Sequence, residues 1–284
     1  MEIEYDELDE ERIPWHPAFL EALQMELQEY QDVLEFHPEC QLSSGPLRID
    51  CVVIKKAKDV VIKKNIAVIF REWNLLEYKS PEDYISVANF YKVYAYACLY
   101  VSNNDVPITS LTVSFIESGY PEKLLNHLKN ERHYTVAETT PGIYTISGDI
   151  LPIQIIDSRR LSAEENLWLK NLRGKLRYTA ITRISKEINR QEKAVHIAAY
   201  WNAIMLANPA AIKEAIKMGN TPTLDKVFVE TGLAAMWEAR GRAEGEQHKA
   251  FGIAQNMVKL GLPIETVISA TQLDPEKVKP LYQA

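Results

Sequence analysis

The sequence lacks the features that would assign it to several common protein classes. It has three cysteines in 284 residues, Cys40, Cys51 and Cys98, and no CxxC pair. This usage predicts reduced thiols in a cytoplasmic protein rather than a disulfide framework. No Walker loop, Rossmann glycine fingerprint, HExxH or GxSxG motif occurs. These absences argue against P-loop, dinucleotide-binding, zincin and α/β-hydrolase chemistry.

Long apolar runs are also missing. The most apolar stretch, residues 194–212, contains His196, Asn202, Asn208 and Pro209, so it predicts buried helices and no membrane span. The first 12 residues carry seven acids and one base, which is unlike a signal peptide. We expect residues 1–14 to form an acidic, disordered leader.

The chain has no overall positive charge, since its net charge is −7. The leader accounts for most of this, and residues 13–284 hold 31 basic and 32 acidic side chains. Two segments are locally basic: residues 48–64 have six bases and two acids, and residues 159–193 have ten bases and four acids. Either segment could follow a phosphate backbone, although a solvated surface is the commoner explanation of such charge.

An acid and a lysine do stand two residues apart at the end of an apolar run. Glu77 and Lys79 form the only acid-x-lysine triplet in the chain, and a strand would place both on one face with Tyr78 on the other. Residues 47–54 predict a second strand, interrupted by Asp50, which is costly to bury unless it is paired or bound to a cation. If the two strands are neighbours, the two acids favour Mg²⁺ or Mn²⁺ over zinc. The alternative is an exposed Asp50, or one that pairs with Lys79 alone.

The hydrophobic patterns predict an α/β fold followed by a helical C-terminal region. Ser80, Pro81 and Asp83 have the spacing of a helix start, with Ser80 as N-cap. The predicted elements are a helix at 17–30, strands at 32–36, 47–55 and 74–79, a helix at 87–100, a strand at 108–116, a short helix at 120–130, a β-meander at 134–157, and helices from 158 to 284.

This order of elements, with Asp50 on the second strand and Glu77-Tyr78-Lys79 on the third, resembles the PD-(D/E)XK nuclease superfamily. Within it, residues 70–81 are similar to the recombination-promoting nuclease/putative transposase branch, and residues 261–273 are similar to its short helical ending. The resemblance covers roughly residues 17–116 and about the last 35. It implies a restriction-endonuclease-like mixed sheet flanked by helices. Two departures are that Ile49, not proline, precedes Asp50, and that the connection from Asp50 to Glu77 is long.

The resemblance also implies roles for individual residues. Asp50 and Glu77 would bind Mg²⁺, with Mn²⁺ as the alternative, and Lys79 would position the attacking water. The first helix often adds an acid, for which Glu26 is the candidate and Glu21 and Glu29 are alternatives, although a solvated glutamate is commoner at each position. DNA contacts are expected from the first basic segment and from the helix at 87–100. For most of the aromatic rings of this helix, packing in the core is the commoner role. The candidates are Lys55, Lys56, Lys63, Lys64, Tyr91 and Lys92, with Tyr94 as a further option.

The expected function is therefore that of a metal-dependent DNA endonuclease, a cytoplasmic hydrolase with DNA as its partner. The alternative is a catalytically inactive nuclease-like module that binds DNA or protein. A helical transcription regulator would need an exposed basic helix near residues 266–272, which the sequence lacks. The expected domains are the leader at 1–14, a nuclease-like domain at 15–157 and a helical region at 158–284 that could mediate homo-oligomerisation.

Overall fold

The computed structural model describes residues 13–38, 51–57, 60–190, 197–230, 249–258, 260 and 263–282. The chain divides into two compact units, one that extends to Val227 and one that begins at Phe228. The predicted leader, apart from residues 13 and 14, lies outside the described residues, and so does Asp50.

The first unit contains a seven-stranded mixed sheet. Its order is β1-β2-β3-β4-β7-β6-β5; β3 is parallel to β4 and β4 to β7, and every other neighbouring pair is antiparallel. This arrangement confirms the predicted α/β class, and the antiparallel strands β5 to β7 confirm the predicted meander. The strands are β1 (Leu34–His37), β2 (Cys51–Lys56), β3 (Trp73–Tyr78), β4 (Leu111–Glu117), β5 (Thr135–Thr140), β6 (Ile143–Ser147) and β7 (Ile153–Asp157).

Helices cover both faces of this sheet. One face packs on α2 and α3 in a single apolar core. The other face meets α1, whose Phe19 ring stacks on Tyr78 with centroids 4.4 Å apart, and α1 is in turn contacted by α4 and α6. The helices of this unit are α1 (Trp15–Glu26), α2 (Val87–Asn104), α3 (Glu122–Asn130), α4 (Leu167–Asn171), α5 (Tyr178–Arg190), α6 (Ala198–Ala207) and α7 (Pro209–Ala215). The division between the units falls within α8 (Thr221–Glu230).

The second unit is helical where it is described. It contains α9 (residues 249–258), α10 (Ile264–Thr271) and α11 (Pro275–Val278). Ala254, Val267 and Val278 are fully buried and form its core. The predicted boundary after Asp157 differs from the observed division because α4 and α6 pack on α1. The helices that follow the sheet therefore belong to the same compact unit as far as Val227.

A buried asparagine joins the central strands near the candidate motif. The Asn74 side-chain amide donates to the carbonyls of Ile54 and Arg71, at 3.0 and 2.9 Å. Its oxygen accepts from the Arg71 N–H at 2.9 Å and from the Thr112 hydroxyl at 2.7 Å. A buried amide is tolerated when its donors and acceptors are satisfied in this way. The bonds tie β2, β3 and β4 together three residues before Glu77.

The start of α2 confirms one prediction and corrects another. The helix predicted at 87–100 is confirmed, since α2 begins at Val87 with Ser86 as its N-cap, whereas the separate helix start predicted at Ser80 is wrong. The Ser86 hydroxyl accepts the Asn89 N–H at 3.1 Å, and the Asn89 side-chain oxygen accepts the Ser86 N–H at the same distance. This reciprocal capping box satisfies two N–H groups, which a helix that began at Ser80 would leave to other partners.

Candidate active site

Glu77 and Lys79 meet at the carboxyl end of β3. The Lys79 Nζ lies 3.3 Å from Glu77 Oε1, and Glu77 is only 6% exposed. Tyr78 points to the opposite face, where it stacks on Phe19 of α1. The predicted division of the three side chains between the two faces is therefore confirmed.

Lys79 also contacts a second carboxylate. Its Nζ lies 3.6 Å from Asp83 Oδ2, which is more exposed than Glu77. The Lys79 N–H donates to the Ile116 carbonyl at 2.9 Å and so continues the pairing of β3 with β4. The backbone of Lys79 is thus held by the sheet, while its ammonium group lies between a buried and an exposed acid.

The start of β2 is next to the end of β3. The two strands are antiparallel, and Cys51 is the register partner of Glu77. Asp50 directly precedes Cys51 in the sequence but lies outside the described residues, so its convergence with Glu77 stays a prediction. Within the described part of the chain, no group of three His, Cys, Asp or Glu side chains could hold a metal ion.

Glu26 has a different set of partners. Its Oε1 accepts the N–H groups of Trp168 and Leu169 at the start of α4, at 2.8 and 3.1 Å, and its Oε2 lies 2.8 Å from Lys64 Nζ. Burial raises the pKa of Glu26, and Lys64 and the two N–H groups oppose that rise. Both oxygens are engaged within the protein on the α1 side of the sheet, so the structure does not bring Glu26 together with Glu77.

The alternatives to Glu26 are also placed apart from the β3 motif. Glu21 accepts the Tyr200 N–H at 2.6 Å in the first turn of α6. Glu29 is exposed in the short 3-10 helix that follows α1. The acids of the first helix thus serve mainly to stabilise the N-termini of α4 and α6, where unpaired N–H groups favour a carboxylate.

The four candidate lysines of the first basic segment, Lys55, Lys56, Lys63 and Lys64, do not surround Glu77. Lys55 pairs with Trp73, four register positions from the Cys51 and Glu77 pair, which corresponds to roughly 13 Å along the strand. Its ammonium group lies 4.9 Å from the Trp73 ring centroid. Although this segment is adjacent to Asp50 in sequence, β2 carries it away from the motif.

Two of these four lysines also lack a freely exposed ammonium group. Lys56 is buried, and its Nζ donates to the carbonyls of Ala57 and Val60 at 3.1 and 2.8 Å. Lys64 pairs with Glu26, and Lys63 remains exposed. The prediction that Lys56 contacts DNA is therefore corrected, because its ammonium group is buried and hydrogen-bonded within the protein.

The second basic segment contributes to a cleft beside Glu26. The cleft has a volume of about 640 Å³ and lies between the end of α1, the start of α4 and one face of α5. Its charged lining is nearly balanced, with four basic side chains and five glutamates, so it is poorly suited to a phosphate backbone. The basic residues are Lys64, Arg183, Lys186 and Arg190, and the acids are Glu26, Glu29, Glu164, Glu165 and Glu187.

The candidates on α2 divide into exposed and packed residues. Tyr91 and Lys92 are exposed; the Tyr91 hydroxyl lies 2.9 Å from His127 Nε2, and Lys92 Nζ lies 5.5 Å from the Tyr96 ring centroid. Tyr94 donates its hydroxyl to Asp149 at 3.1 Å. DNA contacts by Tyr91 and Lys92 stay predictions. Tyr94 instead hydrogen-bonds Asp149, whose carboxylate is buried.

The structure adds two acids that the sequence reasoning missed. Glu117 ends β4 and Asp157 ends β7; they are register partners, and each is 3% exposed. Burial raises the pKa of Glu117 to about 7; nearby Asp157 and Asp83 add to the rise, and the Ile85 N–H and Arg159 oppose it. Burial also raises the pKa of Asp157. The available signal was an acid at the end of an apolar strand, the same signal that selected Glu77.

No family model matches this chain, and comparisons with curated proteins and with solved structures found no significant match. Among the described residues, none of the helices has the length and apolar character needed to cross a membrane.

Proposed function

We propose that the protein is a metal-dependent DNA endonuclease that hydrolyses phosphodiester bonds. The observation that carries this proposal is the ion pair between Glu77 and Lys79 at the carboxyl end of β3. Ligands of α/β proteins bind preferentially at such strand ends. The start of β2, which Asp50 precedes, is the neighbouring strand end.

The order of elements supports the same proposal. A helix, three antiparallel strands, a second helix and a strand parallel to the third follow one another from α1 to β4. This is the order on which the resemblance to the PD-(D/E)XK superfamily rests. Because fold alone does not fix function, the proposal depends on the chemistry of the strand ends.

The side chains at this edge fit a hard cation. Glu77 offers carboxylate oxygens, which Mg²⁺ and Mn²⁺ prefer, and Asp50 is the proposed second ligand. When bound, the metal would polarise the scissile phosphate and lower the pKa of a bound water. Lys79 would hydrogen-bond the attacking water and offset the negative charge that develops on the phosphate, since its backbone is fixed by β4 and its ammonium group is oriented by Glu77.

Nicking of supercoiled plasmid in Mg²⁺ or Mn²⁺ tests the proposal. We expect metal-dependent nicking by the intact chain, and a loss on the order of a hundredfold or more in Lys79→Ala, Glu77→Gln and Asp50→Ala. Lys123→Ala, which removes an exposed lysine on α3, is the matched control and should retain full activity.

Two other outcomes of the nicking experiment would each contradict a different part of the proposal. No nicking by the intact chain with either metal would contradict the nuclease and favour the inactive module that binds DNA or protein. DNA binding measured by fluorescence anisotropy, with its salt dependence, would then separate these two partners. Nicking that survives all three substitutions would assign the activity to another site or to a contaminant.

A further inference from the structure

The segment between β3 and α2, residues 79–86, is anchored to the sheet by an acid outside the proposed catalytic motif. The Ile85 N–H donates to Glu117 Oε2 at 3.0 Å. The Ile85 side chain is buried in the core under α2. One end of the segment is therefore fixed by Glu117, and the other by the pairing of the Lys79 N–H with Ile116.

We propose that Glu117 is a positioning residue for Lys79, which it acts on by holding this segment against the edge of the sheet. The consequence for DNA cleavage rests on the proposed function, whereas the positioning itself does not.

A short series of contacts connects the two residues. Glu117 holds the backbone of Ile85, and Asp83 lies two residues earlier in the same segment. The Asp83 N–H donates to the Ser80 carbonyl at 3.0 Å, which closes a turn, and the Asp83 carboxylate lies 3.6 Å from Lys79 Nζ. Loss of the anchor at Ile85 releases Asp83. Lys79 would then keep Glu77 but lose the second carboxylate that restrains its ammonium group.

A carboxylate is costly at this position, and the hydrogen bond from the Ile85 N–H offsets part of that cost. Glu117 has the buried Asp157 beside it, Asp83 as a further acid and Arg159 as the opposing charge. Among the described residues, Glu117 Oε1 has no hydrogen-bond partner. An unpaired buried oxygen destabilises the folded protein, yet the Ile85 bond needs only one acceptor oxygen. A glutamine side chain would supply that oxygen without the charge.

Selective acylation of lysines, quantified by mass spectrometry, measures the position of Lys79 directly. Glu117→Met removes the acceptor but keeps a side chain of similar size, and Glu117→Gln is the matched control that keeps the acceptor. Exposed Lys55 gives the reference rate, and buried Lys56 reports general loosening of the fold. We expect Lys79 labelling to rise about tenfold in Glu117→Met and to stay within about twofold in Glu117→Gln, with Lys56 protected in both.

Unchanged labelling of Lys79 in Glu117→Met would overturn the proposal, and so would an equal rise in both variants. If Lys56 also becomes labelled in Glu117→Met, the variant has loosened as a whole. Asp83→Asn, at an exposed position, then tests the last contact separately. It should raise Lys79 labelling while Lys56 stays protected, and the absence of that rise would also contradict the proposal.

Cleavage kinetics test the consequence for catalysis. We expect Glu117→Met to lower kcat about tenfold with little change in KM, and Glu117→Gln to restore most of it. Because Glu117 acts through Asp83, the double variant with Asp83→Asn should lose no more than Glu117→Met alone; multiplicative losses would count against this connection. If the intact chain does not cleave DNA, the proposed function fails, and the labelling experiment still decides whether Glu117 positions Lys79.

Discussion

Glu26 and Glu117 are both buried carboxylates, but their surroundings stabilise them differently. Glu26 has a lysine at 2.8 Å and two N–H donors. Glu117 has one N–H donor and a buried acid beside it. A buried charge must be compensated or neutralised by a proton. Glu117 is therefore the residue at this sheet edge whose protonation should affect stability near neutral pH.

Substitution of Glu117 by glutamine should remove a pH dependence of the unfolding free energy. Since the folded-state pKa of Glu117 is raised to about 7 from 4.5, the folded protein binds this proton more tightly than the unfolded chain. The resulting stability is complete below pH 4.5 and is lost as the pH rises through 7. We expect Glu117→Gln to gain about 2 kcal/mol relative to the natural protein between pH 4.5 and pH 8.

Urea unfolding at both pH values measures this gain. Glu122→Gln, at an exposed position on α3, is the control and should show no relative change. A constant difference between Glu117→Gln and the natural protein at the two pH values would contradict the assigned environment of Glu117.

Among the secondary-structure elements, α2 determines how the segment after Lys79 is shaped. Because α2 begins at Val87 rather than at Ser80, residues 79–86 are free to turn back along the sheet edge. That turn is what brings Asp83 to Lys79 and the Ile85 N–H to Glu117. The true position of the helix start is therefore part of the geometry of the candidate site.

Two serine substitutions distinguish the observed helix cap at Ser86 from the cap predicted at Ser80. Ser86→Ala removes the side-chain acceptor of the capping box and should lower the free energy of unfolding by about 1 kcal/mol. Ser80→Ala should change it by less than about 0.5 kcal/mol. Chemical denaturation at one pH compares the two variants, and an equal loss in both would contradict the observed cap.

At the scale of the whole molecule, each of the two units has an apolar core of its own among the described residues. The described part of the second unit relies on a small cluster around Ala254, Val267 and Val278. A small core provides only a few kcal/mol of stability. The second unit should therefore unfold on its own when this cluster is disrupted, while the sheet of the first unit keeps its structure.

Val267→Asp tests this independence. An unpaired carboxylate at a fully buried position costs about 3 kcal/mol or more, which exceeds what the cluster supplies. In hydrogen-exchange mass spectrometry we expect α10 and α11 to lose protection while β3 and β4 keep it. Ser269→Asp, at an exposed position of α10, is the control, and loss of protection in β3 would contradict the prediction. Light scattering on the same variants tests the proposed oligomerisation.

Much of the fold could be predicted from local patterns, because those patterns reflect local geometry. The third strand was expected at residues 74–79 and lies at Trp73–Tyr78. The helix predicted at 87–100 is observed at Val87–Asn104, whereas the helix start predicted at Ser80 failed because Ser80 and Ser86 both precede acceptable helix sequences. The burial in the core of Ile85, just before the helix, and of Phe90, in its first turn, selects Ser86.

The sequence by itself determined that Glu77 and Lys79 share one face of a strand, because the two-residue period of a strand is a local property. Tertiary structure alone decided which other charges lie near them. Strand pairing places Glu117 beside the segment that follows Lys79, and it places Lys55 at the far end of β2 from Glu77. The fold also brings the Trp168 N–H, 142 residues later in the chain, into a hydrogen bond with Glu26. Such contacts depend on register and burial, which bring together residues that no spacing in the chain relates.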